Sequence, residues 1–415
     1  MLQIPRYFSQ MKFRYIIYGV VFCVGFLFAS DTARVDNNLP WSKRIAESFL
    51  VRHPGSVTYD TGFTSTKWTY EQGLMLQALI QMWRFSNDQK YFDFVQHNLE
   101  QYIDSTGTIR TYRYSDFNLD NLACGRPVLT LYNMTSDQRY KKAADTLRAQ
   151  LKNQPRTKSG GFWHKKIYPY QMWLDGLYMA EPFYTMYAAT FNTPDDYDDI
   201  AEQFLLIARN THDEKTGLYY HGWDESKNEK WANPQTGCSP SFWSRSIGWY
   251  AMALVDVLDY FPNEHPKRQQ LISILKDLAE TLLQYRDQKT CLWYQVIDQG
   301  ARTGNYFEAS GTCMFMYAFA KGANEGYLDK KFLIEARRTF KGVIDHLVTI
   351  DSTGSVNLHS ICKGAGLGGT PYRDGSYQYY ISETQRTNDM KGIGPFLLAA
   401  IEIEHGDKLS HDDPK

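Results

Sequence analysis

Two aspartates stand at the starts of apolar, aromatic segments of this 415-residue chain, where a carboxyl group could do acid–base chemistry. Asp120 lies in Asn118-Leu-Asp-Asn-Leu, and Asp175 lies in Gln171-Met-Trp-Leu-Asp-Gly-Leu-Tyr-Met. A carboxyl group kept from water favours its protonated form, and a protonated carboxyl group can act as a general acid near neutral pH. The alternative is that each aspartate caps a helix through backbone N–H groups. Two acids in equivalent places favour chemistry, because paired carboxylates are the usual equipment of glycoside cleavage.

Trp243, Arg245 and Trp249 open another aromatic segment. An arginine in such a segment needs a partner, because an unpaired buried charge is costly. The partner could be a substrate carboxylate held by two parallel hydrogen bonds. It could equally be a structural acid such as Asp224 or Glu308. Residue types leave these two interpretations open.

His164 and His221 follow polar turns that we expect to approach the same region. Each could donate a hydrogen bond to a sugar, although a histidine with only structural contacts is the more frequent case. The sequence has neither a His-Glu-x-x-His motif nor an EF-hand loop, so we predict no metal site. We expect no cofactor.

A polar turn followed by short alternating apolar residues recurs along the chain and predicts a small β-hairpin or extended loop each time. The copies are far enough apart for two helices between successive turns. They begin at Asp104, Lys158, Asp213, Asp287 and Asp351.

Helical periodicity between the turns predicts six pairs of helices. The charged, amphipathic member of each pair is expected at residues 43–51, 90–102, 138–151, 197–208, 269–285 and 331–348. The apolar member is expected at residues 70–85, 119–132, 172–189, 242–260, 309–320 and 394–403. Six pairs closed into a ring form an all-α (α/α)6 toroid, whereas an open solenoid would need distinct caps. We predict one catalytic domain over residues 31–415, with a pocket at the N-terminal ends of the inner helices.

Composition narrows the class of partner. The chain has 45 basic and 46 acidic side chains, so it carries no electrostatic footprint for nucleic acid. Aromatic residues make up 15% of the chain, and their faces suit the apolar patches of sugar rings, although a helical core also uses them. We expect a small oligosaccharide as the partner of a monomer or weak oligomer.

The N-terminus resembles an export signal. Basic residues precede an apolar run at residues 15–29, which is too short for a comfortable membrane span and predicts a signal peptide over residues 1–30. Val21-Phe22 before Cys23 fits a lipoprotein signal poorly, so we expect a soluble exported protein, in the periplasm, rather than a lipid-anchored one. No Cys-x-x-Cys pair occurs among the remaining cysteines, and we expect them to be buried free thiols.

At these residues the chain resembles glycoside hydrolase family 105, the unsaturated rhamnogalacturonyl hydrolases. The resemblance covers roughly the whole mature chain, in the order that the toroid expects. The matching stretches are Trp68-Thr-Tyr-Glu-Gln-Gly73, Asn118-Leu-Asp-Asn121, Trp163-His164, Gln171-Met-Trp-Leu-Asp-Gly-Leu-Tyr-Met-Ala180, Trp243-Ser-Arg-Ser-Ile-Gly-Trp249 and Gly392-Ile-Gly-Pro-Phe396.

The resemblance implies an (α/α)6 barrel that removes a terminal 4,5-unsaturated uronic acid from lyase-generated pectin oligosaccharides. It assigns Asp175 as the acid that protonates C4, after which water adds at C5 with the help of Asp175 and Asp120. The hemiketal then opens and the next sugar, commonly rhamnose, leaves. The resemblance also implies a set of substrate contacts: Tyr70, His164, His221, Trp243, Arg245, Trp249 and Lys391.

The glycine-rich segment 362–375 matches the family only loosely, which leaves the leaving sugar open. Three alternatives follow from the same residues. One is a family 88 unsaturated glucuronyl hydrolase that acts on glycosaminoglycan fragments. Another is a conventional inverting hydrolase on the same barrel. The last is an exported glycan-binding protein in which both aspartates are helix caps.

Overall fold

A computed structural model describes residues 34–57, 67–300 and 302–412. The predicted signal peptide over residues 1–30 lies outside the described residues. In these described ranges, twelve long helices alternate between an outer and an inner layer of a ring. The outer helices are α1 (Trp41–Arg52), α3 (Gln89–Glu100), α5 (Gln138–Asn153), α7 (Asp196–Thr211), α9 (Arg268–Tyr285) and α11 (Lys331–Leu347). The inner helices are α2 (Tyr70–Ser86), α4 (Gly125–Thr135), α6 (Leu174–Phe191), α8 (Ser244–Val257), α10 (Ala309–Asn324) and α13 (Met390–Asp412).

The inner helices form a closed ring. Each inner helix packs on the next along the chain, from α2 through α4, α6, α8 and α10 to α13, and α13 packs back on α2. The fold is therefore the predicted (α/α)6 toroid.

Sequence periodicity explains why one layer lies inside. Every residue of α8 is buried, as expected for a mostly apolar helix, and its two charged residues, Arg245 and Asp256, have ion-pair partners. In α11 the buried residues are Phe332, Ala336, Thr339, Gly342, Val343 and Leu347. They follow helical spacing, so that one face packs on the ring and the charged face meets water.

Two inner helices begin later than predicted. Asp120 lies in a separate 3-10 turn, Leu119–Leu122, because the Asn118 side chain accepts the N–H of Asp120 and starts a turn before α4. Residues 171–173 form a strand, β1 (Gln171–Trp173), that pairs antiparallel with β2 (Gly222–Asp224). The prediction of helix at these positions was wrong, since cross-strand pairing outweighs the helical pattern there.

The polar turns lie between outer helices and the next inner helices. Antiparallel bridges close the first three turns, Ile103 to Ile109, Arg156 to Phe162 and His212 to Tyr219. The fifth turn joins β3 (Val348–Ile350) to β4 (Val356–Leu358). A longer excursion follows it, with β5 (Ile361–Cys362), the short helix α12 (Tyr377–Ser382) and β6 (Gln385–Arg386). This excursion carries the glycine-rich segment.

Cys124, Cys238, Cys313 and Cys362 are free and buried, and Cys291 is free and half-buried. In the part of the chain that the structure describes, no helix has the length and apolar character needed to cross a membrane.

Candidate active site

The N-terminal ends of the inner helices converge on one region. Tyr70 is the first residue of α2, and Asp175, Arg245 and Lys391 are the second residues of α6, α8 and α13. Glu308 caps α10 by accepting the N–H of Gly311. The ring therefore brings polar side chains from distant parts of the sequence together at the N-terminal ends of its inner helices.

A cavity of about 150 Å³ opens between these helix ends. Most of the predicted site residues line it: Tyr70, Asp120, His164, Asp175, Trp243, Arg245 and Trp249. His221 and Lys391 are not part of its wall. Further lining residues come from the 165–173 segment, α6 and the glycine-rich segment: Lys165, Tyr168, Trp173, Met179, Gly364, Ala365 and Arg373.

Asp120 is held as a carboxylate. Its Oδ2 lies 2.5 Å from Nζ of Lys165, and its Oδ1 lies 3.5 Å from Nε2 of His164. Burial acts to raise the pKa of Asp120, but the Lys165 ammonium and His164 outweigh it and lower the pKa. Burial lowers the pKa of His164 to about 4, so that its ring is neutral near neutral pH. The sequence did not single out Lys165.

Asp175 has a different environment. It lies in the first turn of α6, whose N-cap is Trp173, and its side chain is 13% exposed. Its Oδ2 lies 3.1 Å from Nε2 of His221, within ion-pair distance but without hydrogen-bond alignment. Neither atom has a hydrogen-bonding partner among the described residues. His221 is completely buried. It therefore stands behind Asp175 and does not form part of the cavity wall.

Arg245 is paired inside the protein. Its Nε donates to Oγ of Ser310 at 2.6 Å, and its Nη2 lies 3.4 Å from Oε1 of Glu308. Nη2 also donates to the carbonyl of Cys362. Of the two structural acids that the sequence offered as partners, the structure shows Glu308. Asp224 instead accepts backbone N–H groups of its own loop. Arg245 still lines the cavity, but its charge is largely neutralised there.

Lys391 is paired in the same way. Its Nζ lies 2.7 Å from Asp389 and 3.5 Å from Glu71, and 6.0 Å from the ring centroid of Tyr70. Tyr70 meets the edge of Trp249, whose ring packs on Tyr178. Lys391 therefore lies next to the aromatic residues of the cavity wall without lining the cavity itself.

A stack of three rings forms another part of the cavity wall. Trp173 packs on His164 at 4.5 Å between ring centroids and on Tyr168 at 4.7 Å. Aromatic faces of this kind suit the C–H patches of a sugar ring. The sequence pointed to His164 alone, although Trp173 is two residues before Asp175 in a motif that was already recognised.

The glycine-rich segment wraps around the guanidinium of Arg373. Arg373 donates to the carbonyl groups of Gly368 and Leu367 and to the hydroxyl of Tyr168 at 2.8–3.0 Å. A Cβ atom on Gly366 would lie 2.3 Å from Nη1 of Arg373, so a larger residue there would displace the guanidinium from its present position. Residues 363–375 of this segment are called the strap below. The hydrogen bonds of Arg373 hold the strap at the cavity, which Gly364, Ala365 and Arg373 line.

No group of three or more His, Cys, Asp and Glu side chains is arranged to hold a metal ion among the described residues. The cavity instead offers two carboxyl groups in unlike electrostatic settings, one beside an ammonium and one beside a histidine. Such a pair can divide acid and base roles at a single reaction centre.

The family model described as Glycosyl Hydrolase Family 88 matches residues 41–406. A family 105 glycoside hydrolase from Clostridium acetobutylicum has a similar solved structure, with 43% identity, a TM-score of 0.84, and coverage of 88% of this chain and all of that one. An unsaturated rhamnogalacturonyl hydrolase of Bacillus subtilis is 22% identical over 59% of this chain and 68% of its own length. An unsaturated glucuronyl hydrolase specific for heparin shares the fold, at 15% identity and a TM-score of 0.65, with coverage of 88% and 95%.

The matched region spans the whole ring of helices, and the aspartates lie within it at one cavity. The chain therefore belongs to Glycosyl Hydrolase Family 88 as that model defines it, and it is a glycoside hydrolase of the family 105 kind that acts on unsaturated uronic acids.

Proposed function

We propose that the protein removes the terminal 4,5-unsaturated uronic acid from lyase-generated rhamnogalacturonan oligosaccharides. The observation that carries the proposal is the unlike surroundings of two carboxyl groups that line one cavity. Lys165 stabilises Asp120 as a carboxylate, whereas Asp175 faces the Nε2 atom of a buried histidine. The similarity to the rhamnogalacturonyl hydrolase of Bacillus subtilis supports this choice of substrate.

In the proposed reaction Asp175 donates its proton to C4, and water adds to C5 of the double bond. The carboxylate of Asp175, helped by Asp120, takes the proton that the water releases. The product is a hemiketal at C5, which opens to a ketone and leaves a hemiacetal at C1 that expels the next sugar. Protonation of carbon is demanding, so a positioned carboxylic acid is suited to the first step.

The test is the loss of the near-ultraviolet absorbance of the C4=C5 double bond when purified protein meets lyase-digested rhamnogalacturonan. Asp175→Asn should lower kcat by about 10² to 10⁴-fold, the usual contribution of a general acid. Asp198→Asn is the matched control, because Asp198 is 70% exposed on the outer helix α7. If the wild-type protein leaves the double bond intact, the proposal fails.

Glycosaminoglycan fragments are the second candidate substrate. The hydrogen bonds of Arg373 go to carbonyl groups and a phenol, which carry no charge, so its cation at the cavity wall would suit a sulfate on the adjacent sugar. Unsaturated glycosaminoglycan disaccharides therefore form the second arm of the assay. Consumption of these disaccharides alone would replace the first proposal.

We also propose that the protein is exported and meets oligosaccharides in the periplasm. The support is the basic and apolar pattern of residues 1–30. Fractionation of cells that express the full chain, compared with a chain that starts at Ala33, tests this. Retention of the full chain in the cytoplasm would contradict it.

A further inference from the structure

A hydrogen-bonded pair of buried side chains stands behind Asp175. Nδ1 of His221 and the hydroxyl of Tyr380 are 2.7 Å apart, although the residues are separated by 159 positions in the sequence. Both side chains are completely buried, so Tyr380 does not reach the cavity. On its other side, His221 places Nε2 at 3.1 Å from Oδ2 of Asp175. Tyr380, His221 and Asp175 thus contact one another in that order, from the core to the cavity.

Rigid neighbours hold Tyr380 in place. Its ring stacks on Trp243 at 5.7 Å and 22°. Its backbone carbonyl accepts a hydrogen bond from Nε2 of Gln295 at 3.0 Å, and Oε1 of Gln295 accepts the indole N–H of Trp243. Tyr380 belongs to the short helix α12, so this excursion brings a phenol to the histidine that faces Asp175.

The hydrogen atoms of the His221–Tyr380 pair can be assigned by comparing the two arrangements that the 2.7 Å contact allows. If the phenol donates to Nδ1, the phenol hydrogen has its acceptor. The ring proton then sits on Nε2, on the side of Oδ2 of Asp175 at 3.1 Å, although the two groups are not aligned as a hydrogen bond in this structure. If Nδ1 carries the proton instead, the phenol hydrogen has no acceptor among the described residues, and the lone pair of Nε2 faces the carboxylate of Asp175. The second arrangement leaves a buried phenol donor unpaired and sets a lone pair against a carboxylate oxygen, which is costly, whereas the first turns an N–H towards that oxygen, so the first arrangement is favoured.

We propose that Tyr380 is a positioning residue for the reaction: its hydroxyl donates to Nδ1 of His221, keeps the ring proton on Nε2 and aims that N–H at Asp175. The inference rests on the proposed function, since it gives the N–H a task there. When Asp175 has given its proton to C4, the N–H of His221 donates to the new carboxylate. Burial raises the pKa of the Tyr380 phenol well above its usual range, which keeps the phenol a donor.

The first measurement needs no substrate and is made on the wild-type protein. In protein labelled with ¹⁵N-histidine, the nitrogen chemical shifts show which ring atom of His221 carries the proton, and the signal is assigned by its loss in His221→Gln. We expect a proton on Nε2 and none on Nδ1. A proton on Nδ1 in the wild-type protein would overturn the inference.

The second measurement compares Tyr380→Phe with Tyr250→Phe. Tyr250 is also completely buried, and its hydroxyl donates to the carbonyl of Phe204 at 3.1 Å, so the control removes a buried phenol hydroxyl away from the cavity. We expect Tyr380→Phe to lower kcat about tenfold, the effect of one hydrogen bond. KM should stay within about twofold, and the tautomer signal of His221 should shift. Tyr250→Phe should leave all three quantities unchanged.

An unchanged tautomer and an unchanged kcat in Tyr380→Phe would overturn the inference. A wild-type protein that consumes no unsaturated uronate would contradict the proposed function instead. In that case the histidine spectrum still decides the position of the Tyr380 hydrogen.

Discussion

Nζ of Lys165 lies 2.5 Å from Oδ2 of Asp120, and this contact sets the charge of one of the two acids. Burial alone would raise the pKa of Asp120, yet Lys165 and His164 lower it. Asp175 has a neighbouring histidine in place of an ammonium. The residues beside the two aspartates therefore set them apart, although the sequence pattern had placed both at helix starts.

Lys165→Met should raise the pKa of Asp120, because the carboxylate loses the cation that stabilises it. Asp120 would then be protonated at a higher pH, so the acid limb of the kcat/KM profile should move upward in pH. On the acid side kcat/KM should fall about tenfold. Lys165→Arg keeps the charge and should hold the limb near its wild-type position. An acid limb that stays in place in Lys165→Met would show that Lys165 does not control Asp120.

Arg245→Met should lower the free energy of unfolding by about 3 to 5 kcal/mol, because it leaves the buried carboxylate of Glu308 without its cation. The double variant Arg245→Met/Glu308→Gln should recover part of that loss. Denaturant unfolding measures both. Lys341→Met is the control, because Lys341 pairs with Asp345 at the surface, where a pair contributes less than about 1 kcal/mol. A loss no larger than that of the control would contradict the assignment of Glu308 as the partner of Arg245.

Local patterns in the sequence predicted the ring of helices and half of the residues that line the cavity. Periodicity separates inner from outer helices, and the ring geometry places Asp175 and Arg245 at adjacent helix starts. The contacts that give those residues their charge states are different in kind. Lys165 stands in a polar turn where lysines are usually solvated, and the Tyr380 to His221 contact spans 159 residues. Such partners depend on tertiary packing, which no short motif encodes.

The contacts of the strap also depend on tertiary packing and could not be predicted from the sequence. The sequence offered no contact for this glycine-rich segment, whereas the structure shows Gly366 and Gly369 close to the guanidinium of Arg373. The 3-10 turn at Asp120 and the strand before Asp175 were also missed, because single hydrogen bonds and cross-strand pairing outweigh helical periodicity over so few residues.

Glu402 should make the stability of the ring depend on pH. Burial raises its pKa from 4.5 to about 7, although Lys321 and the amide of Asn324 act in the opposite direction. The protonated carboxyl group is favoured in the folded state, so the stabilisation is present at low pH and is lost as the pH rises through about 7. Melting temperatures between about pH 5 and pH 8 should fall more for the wild type than for Glu402→Gln. Parallel curves for the two proteins would refute this.

Gly366→Ala should disturb the strap without touching either aspartate. The new methyl group would lie 2.3 Å from Nη1 of Arg373, so the guanidinium would have to leave the carbonyl groups and the Tyr168 hydroxyl that hold it. Because the strap forms part of the cavity wall, we expect KM to rise about tenfold with a smaller change in kcat. Gly55→Ala is the control, since Gly55 does not line the cavity and a Cβ there meets no atom within 4 Å. Equal KM values for the two variants would show that the Arg373 contacts do not shape the binding site.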